Sequence, residues 1–309
     1  MSKHQALEQL TTEQRHPNST KIDTLPTIEI VELMNQEDYR ICEAVEKEKE
    51  AISRTIECVA EALGQGGRLI YLGAGTSGRL GVLDASECPP TFSTPPEWVV
   101  GIIAGGDQAL RTAVEGAEDD RNGAKIPLQE LNCGHRDVVI GIASSGRTPF
   151  VIGGLEWARQ CGVTTVGITC NSPSPLEESA DWVIAPVVGP EIISGSTRLK
   201  AGTATKMVLN MITTGAMIRL GKTYGNLMVD LKATNEKLKQ RSHGLVKTLT
   251  GVGDTEAEQA LRESDGEVKT AVVATYHQIS PTEAREILNR FRGQLRPALD
   301  EGQGGRDGT

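Results

Sequence analysis

The feature that most constrains the fold is a set of five short apolar segments separated by stretches with helical periodicity. A short, nearly continuous apolar run indicates a strand that is buried on both faces, as in parallel sheets. Strands that alternate with helices predict a doubly wound α/β sheet with helices on both faces. The predicted strands are residues 69–72, 98–103, 138–142, 164–168 and 182–187, and the predicted helices that separate or follow them are 107–118, 149–161 and 197–220.

Helical segments precede and follow this predicted sheet. Thr27 caps a first helix, and a longer helical pattern runs from Tyr39 to Leu63. Near the other end, Ser280-Pro281-Thr282-Glu283 is a helix-capping sequence that indicates a small helical bundle. We therefore expect an N-terminal segment with helices (1–58), a sheet domain (59–246), a small helical domain (247–296) and a flexible tail (297–309).

Composition and charge exclude several classes of protein. Of the 309 residues, 38% are hydrophobic and 24% are charged, which is typical of a folded chain. The net charge of −9 argues against a nucleic-acid partner, which needs clustered Lys and Arg. No apolar run approaches the roughly 20 residues of a membrane span, and the first ten residues lack a signal-peptide core, so we expect a cytoplasmic protein. The six cysteines and five histidines show no CxxC or HExxH spacing, so we expect free thiols and no metal.

Three of the predicted strands are followed by loops of small and hydroxyl-bearing residues, at 73–79, 143–149 and 190–198. The carboxyl ends of parallel strands meet at one sheet edge, where such folds bind ligands. The first loop matches GxGxxG, but the acidic residue that follows the second predicted strand, Asp107, comes too late to hold a dinucleotide ribose. Hydroxyls and helix N-termini bind a phosphate monoester without excess positive charge, so the pattern favours a phosphosugar site. For any single loop, ordinary helix capping is the alternative.

Longer strings around these loops resemble the N-acetylmuramic acid 6-phosphate etherase family, which has the sugar isomerase (SIS) fold. The resemblance extends from about Arg15 to Asn289. It implies an SIS-type sheet and a homodimer that needs neither metal nor nicotinamide cofactor. The implied reaction, part of cell-wall amino sugar recycling, cleaves the ether between D-lactate and C3 of the sugar and leaves N-acetylglucosamine 6-phosphate. The strings that carry the resemblance are residues 69–92, 113–120, 143–155, 191–212 and 226–238.

The resemblance also implies two catalytic glutamates, Glu87 and Glu118. The reaction needs a base that removes the proton from C2, beside the C1 aldehyde of the open-chain sugar, and an acid that protonates the C3 ether oxygen. Two carboxyls in different environments can divide these tasks, after which water adds at C3. We expect Glu87 to be the acid and Glu118 the base. The alternative is that both are ordinary carboxylates near helix ends.

The substrate contacts implied by the resemblance fall on the hydroxyl-rich loops. We expect Arg79 and Arg147 to neutralise a phosphate or carboxylate, with salt bridges to acidic side chains as an equal alternative. We expect Lys200 and Lys206 to lie on a solvated helix face. The predicted substrate-binding residues are Gly75, Thr76, Ser77 and Gly78 in the first loop, Ser144, Ser145 and Thr148 in the second, and Glu191, Ser194 and Ser196 in the third.

Two other functions use the same loops. A regulatory sensor of sugar phosphates needs the phosphate contacts without turnover, although the animal glucokinase regulator has two SIS domains and this chain has length for one. An aldose–ketose isomerase also uses a carboxylate base but leaves the C3 substituent attached. Release of lactate distinguishes the etherase from both.

Overall fold

The computed structural model of the protein describes residues 10–230 and 236–301. The chain packs into two compact units, one formed by residues 1–86 and 96–213 and the other by residues 87–95 and 214–309. This grouping differs from the predicted parts, because the helices before the sheet pack with the sheet and the predicted sheet domain ends in the helical unit. No helix of the described residues is both long and apolar enough to cross a membrane.

In the described part of the first unit, five parallel strands form one sheet in the order β2-β1-β3-β4-β5. The order reverses between β1 and β3, and this is the position at which open α/β sheets bind ligands. The doubly wound fold and all five strands are confirmed, although the last strand is three residues shorter than predicted. The strands are β1 Leu69–Gly73, β2 Val99–Ile103, β3 Val138–Ile142, β4 Thr164–Ile168 and β5 Trp182–Ile184.

Within the described residues, seven α-helices begin in the first unit, and two of them, α3 and α7, end in the second. The first helix does not end before Tyr39, because apolar residues continue at helical spacing past that residue. The break between α1 and α2 lies at Lys47–Glu48. The helices are α1 Thr27–Glu46, α2 Lys49–Gly64, α3 Gly75–Phe92, α4 Lys125–Glu130, α5 Pro149–Gln160, α6 Leu176–Ser179 and α7 Lys200–Arg219.

The helix predicted over residues 107–118 is wrong. The segment contains only two short 3-10 helices, Gly106–Leu110 and Ala117–Asp119. Each is preceded by a glycine in the left-handed region, Gly105 at φ +85° and Gly116 at φ +74°, a backbone conformation that interrupts an α-helix.

The core of the first unit lies between the sheet and α5. Gly141 in β3 allows this close packing, because a Cβ atom there would lie 2.7 Å from side-chain carbons of Val151 and Leu155. Leu155 is fully buried, and burial of one such side chain stabilises a fold by about 1.5–3 kcal/mol. α5 is thereby fixed against β3, and its N-terminus is fixed at the carboxyl edge of the sheet.

The second unit is helical and has its own apolar core. The predicted capping sequence is confirmed, because the Ser280 hydroxyl accepts a hydrogen bond from the Glu283 amide and the Glu283 carboxylate accepts one from the Ser280 amide. The predicted flexible tail is wrong for residues 297–301, since Ala298 and Leu299 are buried in a helix; residues 302–309 lie outside the described part. The elements are β6 Thr223–Tyr224, β7 Leu227–Met228, α8 Glu236–Thr250, α9 Asp254–Glu263, α10 Val268–His277, α11 Pro281–Arg290 and α12 Leu295–Asp300.

Candidate functional site

The first loop is a tight turn from β1 into α3, which begins only two residues after the strand. A Cβ atom on Gly73 would lie 2.6 Å from the Gly78 nitrogen, and one on Gly78 would lie 2.8 Å from the Gly73 oxygen, so only glycine allows this approach. Thr76 and Ser77 therefore lie in the first turn of α3, at the carboxyl edge of the sheet. An 18-residue helix directs free backbone N–H groups and a partial positive charge toward this position.

The second loop connects β3 to α5 and is held from inside the protein. The Ser144 carbonyl accepts hydrogen bonds from the Asn171 side chain at 2.8 Å and from the Cys170 amide at 2.9 Å. Ser145, through its hydroxyl, accepts a bond from the Arg147 amide. Thr148 is the N-cap of α5 and is followed by a proline in the first helical turn. The loop thus places Ser144, Ser145 and Thr148 before a second helix N-terminus, as the sequence predicts.

The third loop leads into α7, and its residues have different roles. Glu191 is fully buried, and its two carboxylate oxygens accept hydrogen bonds from the backbone amides of Lys200 and Ala201. It thus supports the loop as the cap of α7 and has no surface to offer a ligand. Ser194 is exposed and donates a hydrogen bond to the Gln14 carbonyl, and Ser196 is half-buried.

The lysines of α7 differ from each other. Lys200 is 2% exposed, so the prediction that it lies on a solvated face is wrong. It pairs with Glu37, which is 163 residues away in the sequence and could not be identified from local pattern. Lys206 is exposed, as predicted.

The three loops lie at the same edge of the sheet of the first unit. The Thr76 methyl group lies 3.7 Å from where a Cβ atom of Gly202 would be, which places the first turn of α3 beside the first turn of α7. The third loop hydrogen-bonds to the segment around Thr12, and Asn171 links the second loop to the same segment by bonding to both. The predicted convergence of the loops is therefore seen in the structure.

The two arginines of the loops have different surroundings. Arg79 donates from Nε to the Leu110 carbonyl at 3.2 Å. Arg147 is half-buried, and its Nη1 atom is buried without a hydrogen-bond partner among the described residues. A buried guanidinium nitrogen without an acceptor favours an anionic ligand at this position. The alternative considered for Arg147, a salt bridge to an acidic side chain, is not seen in the described part of the chain.

Glu118 lies in the segment that follows the carboxyl end of β2. It is exposed, within the 3-10 helix Ala117–Asp119. The segment packs closely on α5, since a Cβ atom on Gly153 would lie 1.8 Å from the Arg121 carbonyl oxygen. A cavity of about 490 Å³ lies beside it and is lined by residues that include Ala117, Asp120 and Phe150.

Glu87 lies on α3 and is exposed. It belongs to the second compact unit, whereas Glu118 belongs to the first, and the pairing of the two carboxyls stays a prediction. Three residues earlier, Asp84 is buried and accepts hydrogen bonds from the Tyr71 hydroxyl at 2.9 Å and the Thr213 hydroxyl at 3.2 Å. Burial raises the pKa of the Asp84 carboxyl, and these hydrogen bonds partly offset the rise. Asp84 joins α3 to β1 and α7, a role that the sequence does not reveal.

The chemistry that this edge can perform is anion binding and proton transfer. Hydroxyls, helix N-termini and a guanidinium with one unpartnered buried nitrogen among the described residues suit a phosphate monoester, and exposed carboxylates suit acid–base catalysis. Among the described residues, no group of three or more His, Cys, Asp or Glu side chains is arranged to hold a metal ion. All six cysteines are free thiols, as predicted.

Comparison with protein families defines the class of fold. A family model described as SIS domain matches residues 122–215, and a model described as Glucokinase regulatory protein N-terminal SIS domain matches residues 51–159. Phosphoheptose isomerase from Neisseria gonorrhoeae is a solved structure that matches 63% of this chain and 98% of its own, with 16% identity and a TM-score of 0.47. The matches to the two SIS family models show that the fold is of the SIS type, as predicted.

Two full-length relatives make the assignment more specific. A protein of Rhodopirellula baltica is 56% identical over 289 residues, which cover 94% of this chain and 96% of the relative. A protein of Photorhabdus laumondii is 53% identical over 293 residues, covering 95% and 97%. Both are named N-acetylmuramic acid 6-phosphate etherase. The chain belongs to this family.

Proposed function

We propose that this protein is a carbon–oxygen lyase that cleaves the D-lactyl ether of N-acetylmuramic acid 6-phosphate. The products are D-lactate and N-acetylglucosamine 6-phosphate, as needed for recycling of cell-wall amino sugars. The observation that carries the proposal is an identity above 50%, over more than nine-tenths of the chain, to relatives with the etherase name. The identity extends across both compact units, so the two units together form the unit of function.

The loops of the first unit provide the binding part of the proposed function. The phosphate is held by the hydroxyls of Thr76, Ser77, Ser144, Ser145 and Thr148 and by the N-termini of α3 and α5. The Arg147 guanidinium adds the positive charge. Ser194 and Ser196 complete the rim from the third loop, and Glu191 holds that loop in place. Binding energy from the phosphate end then orients C2 and C3 of the sugar for reaction.

The two glutamates carry the chemistry. Glu118 removes the proton from C2 of the open-chain sugar, and the electron pair forms a C2–C3 double bond as the C3–O bond breaks. Glu87 protonates the departing ether oxygen, which leaves as the hydroxyl of D-lactate. Water then adds at C3, and the proton returns to C2. The net reaction consumes one water and needs no redox cofactor, because elimination and addition leave the oxidation state of the sugar unchanged.

The proposal includes the oligomeric state and the cellular location of the protein. We infer that the protein is a cytoplasmic homodimer whose partner is a small sugar phosphate. Neither nucleic acid nor membrane is part of the proposal, in line with the net charge of −9. Exposed apolar residues of α1, Ile28, Val31 and Tyr39, support association with a second copy.

The test is incubation of the purified protein with N-acetylmuramic acid 6-phosphate. We expect D-lactate and N-acetylglucosamine 6-phosphate in equal amounts, with lactate measured by a coupled dehydrogenase and the sugar by mass spectrometry. Binding without release of lactate would indicate a sensor. A ketose product that keeps the lactyl group would indicate an isomerase. Either outcome contradicts the proposed function.

A further inference from the structure

Three buried ionisable side chains meet at the first residue of α7, outside the groups assigned above to the substrate. The Lys200 Nζ lies 2.7 Å from Oε2 of Glu37 in α1, and Nε2 of His16 lies 3.1 Å from the same oxygen. These three residues are 2%, 3% and 3% exposed, respectively. The His16 Nδ1 accepts a hydrogen bond from the Asn18 amide, so Nε2 carries the proton that is donated to Glu37.

Glu37 is charged in this environment. Burial by itself raises the pKa of a carboxyl, but the hydrogen bond and charge of Lys200, together with the hydrogen bond from His16, outweigh it and hold the Glu37 pKa below its usual value. A buried ion pair of this kind adds little net stability, because desolvation of both charges offsets their attraction. Its directional bonds nevertheless fix the relative positions of the segments that it joins.

The same point of α7 is held from a second direction. Glu191 in the third loop accepts hydrogen bonds from the Lys200 amide at 3.0 Å and the Ala201 amide at 2.9 Å. Lys200 is therefore bonded through its side chain to α1 and through its backbone to the third loop. Displacement of Lys200 would move the third loop and the start of α7 together.

The N-terminal clasp, residues 11–19, extends this anchor to the third loop. His16 is part of it. The Ser19 hydroxyl donates to the Ile192 carbonyl at 2.7 Å, and the Gly195 amide donates to the Thr12 carbonyl at 3.1 Å. The Ser194 hydroxyl donates to the Gln14 carbonyl at 3.3 Å, so the clasp bonds to the third loop at three positions while its histidine bonds to Glu37.

The clasp also reaches the second loop through Asn171. The Asn171 Nδ2 donates to the Thr12 hydroxyl at 3.1 Å and to the Ser144 carbonyl at 2.8 Å, and its Oδ1 accepts from the Thr11 hydroxyl at 2.9 Å. Asn171 is 2% exposed, so these bonds are shielded from water. The clasp therefore connects two of the three loops at the carboxyl edge of the sheet.

We propose that Lys200 and Glu37 are positioning residues for the phosphosugar site, acting through the N-terminal clasp and the Glu191 cap to fix the second and third loops relative to each other. This inference rests on the proposed function, because it assigns those loops to the substrate. Neither residue touches the sugar. Their effect is on the spacing of the groups that do, and small displacements of binding groups have large effects on affinity and rate.

The test is the double variant Glu37→Gln/Lys200→Met, which removes both charges and leaves neither unpaired. Circular dichroism establishes that the variant is folded, and calorimetry then measures its dissociation constant for N-acetylglucosamine 6-phosphate. We expect that constant, and KM for lactate release, to rise about tenfold while kcat changes less than about threefold. An unchanged dissociation constant in the folded variant would overturn the proposal.

The matched control is the ion pair Arg68–Asp137, at 2.8 Å, which joins the amino ends of β1 and β3 at the opposite edge of the sheet. Arg68→Met/Asp137→Asn also removes a partly buried pair from the first unit. We expect it to keep the wild-type dissociation constant. An equal loss of affinity in this control would show a general structural effect and contradict the assignment.

If the double variant does not fold, Ser19→Ala makes the same test with a smaller change. It removes only the Ser19 hydroxyl, which donates to the Ile192 carbonyl at 2.7 Å and lies 3.5 Å from the His16 carbonyl. We expect about threefold weaker product binding; unchanged binding would overturn the proposal. A different outcome would contradict the proposed function alone. If the wild-type protein releases no lactate but the variants still bind N-acetylglucosamine 6-phosphate more weakly than wild type, the positioning role stands.

Discussion

Two carboxyl groups must do opposite work in the proposed reaction, and each can be tested by a change of one side-chain atom. Glu87→Gln and Glu118→Gln should each lower kcat for lactate release by about 10²- to 10⁴-fold, the usual contribution of a general acid or base. Calorimetric affinity for N-acetylglucosamine 6-phosphate should remain near the wild-type value. Glu115→Gln, at an exposed neighbouring position, is the control and should keep full activity. Near-normal turnover in either catalytic variant would remove that residue from the mechanism.

The structure distinguishes Arg147 from Arg79, which the sequence could not do. The Arg147 Nη1 atom is buried without a partner among the described residues, whereas Arg79 bonds to a carbonyl. Arg147→Met should therefore weaken product binding about tenfold or more, since a hydrogen bond to a charged group contributes about 1.5–3 kcal/mol. The loss should be much smaller for N-acetylglucosamine, which lacks the phosphate. An equal loss for both sugars would place Arg147 away from the phosphate.

Single residues also show what a sequence can and cannot predict. The hydroxyl-rich loops were predictable because glycine, serine and threonine are local signals of helix N-termini beside strands. The burial of Lys200 was not, because its partner Glu37 is 163 residues away and a lysine on a helix is usually solvated. Asp84 and Asn171 were missed for the same reason, as their partners lie on distant strands, loops or segments.

Among the elements, β1 and β3 are joined at their amino ends by Asp137. Its carboxylate accepts bonds from the side chain and amide of Arg68 and from the Gly134 amide. Burial raises the pKa of Asp137, but these bonds and the Arg68 charge outweigh it and hold the pKa below 3.8. Asp137→Asn should therefore lower the free energy of unfolding at pH 7 by about 2 kcal/mol.

The pH dependence of that loss follows from the direction of the shift. A carboxyl with a lowered pKa in the folded state contributes its full stability above its unfolded pKa and loses it as pH falls through the folded value. Urea unfolding should thus show a constant difference between wild type and Asp137→Asn from pH 7 to about pH 5, which shrinks below pH 3.8. A difference that grows with acidification would contradict the sign of the shift.

The elements differ in how well sequence predicts them. Strands were predictable, because β1 and β3 are buried at every position and leave an uninterrupted apolar run. The segment 107–118 was not, because the left-handed glycines at its ends stop a helix that the other residues permit. The packing of α12 was not predicted, because its sequence has few apolar residues. Three of them, Leu295, Ala298 and Leu299, are enough to bury the helix against the existing core of the second unit.

For the whole molecule, the homodimer is open to direct measurement. Analytical ultracentrifugation should give a mass of twice 33.1 kDa at micromolar concentration. Ile28, Val31 and Tyr39 lie on one face of α1 and are 64%, 55% and 74% exposed, so Val31→Glu should favour the monomer by placing a charge in the interface. Gln129→Glu adds the same charge at an exposed position of α4, outside α1, and should leave the dimer intact. A monomeric wild type would contradict the proposal.

The family and the sheet could be recognised from sequence strings, whereas the grouping of residues 87–95 with the C-terminal unit could not. That grouping depends on packing between segments more than 100 residues apart, for which local periodicity carries no signal.

The reaction itself is tested most directly by lactate release in H₂¹⁸O, with mass spectrometry of both products. Cleavage of the C3–O bond with later addition of water places one ¹⁸O atom on the sugar and none in the lactate. We therefore expect N-acetylglucosamine 6-phosphate heavier by one ¹⁸O and unlabelled D-lactate. Label in the lactate, or bound substrate that never releases lactate, would contradict the elimination and addition proposed for this site.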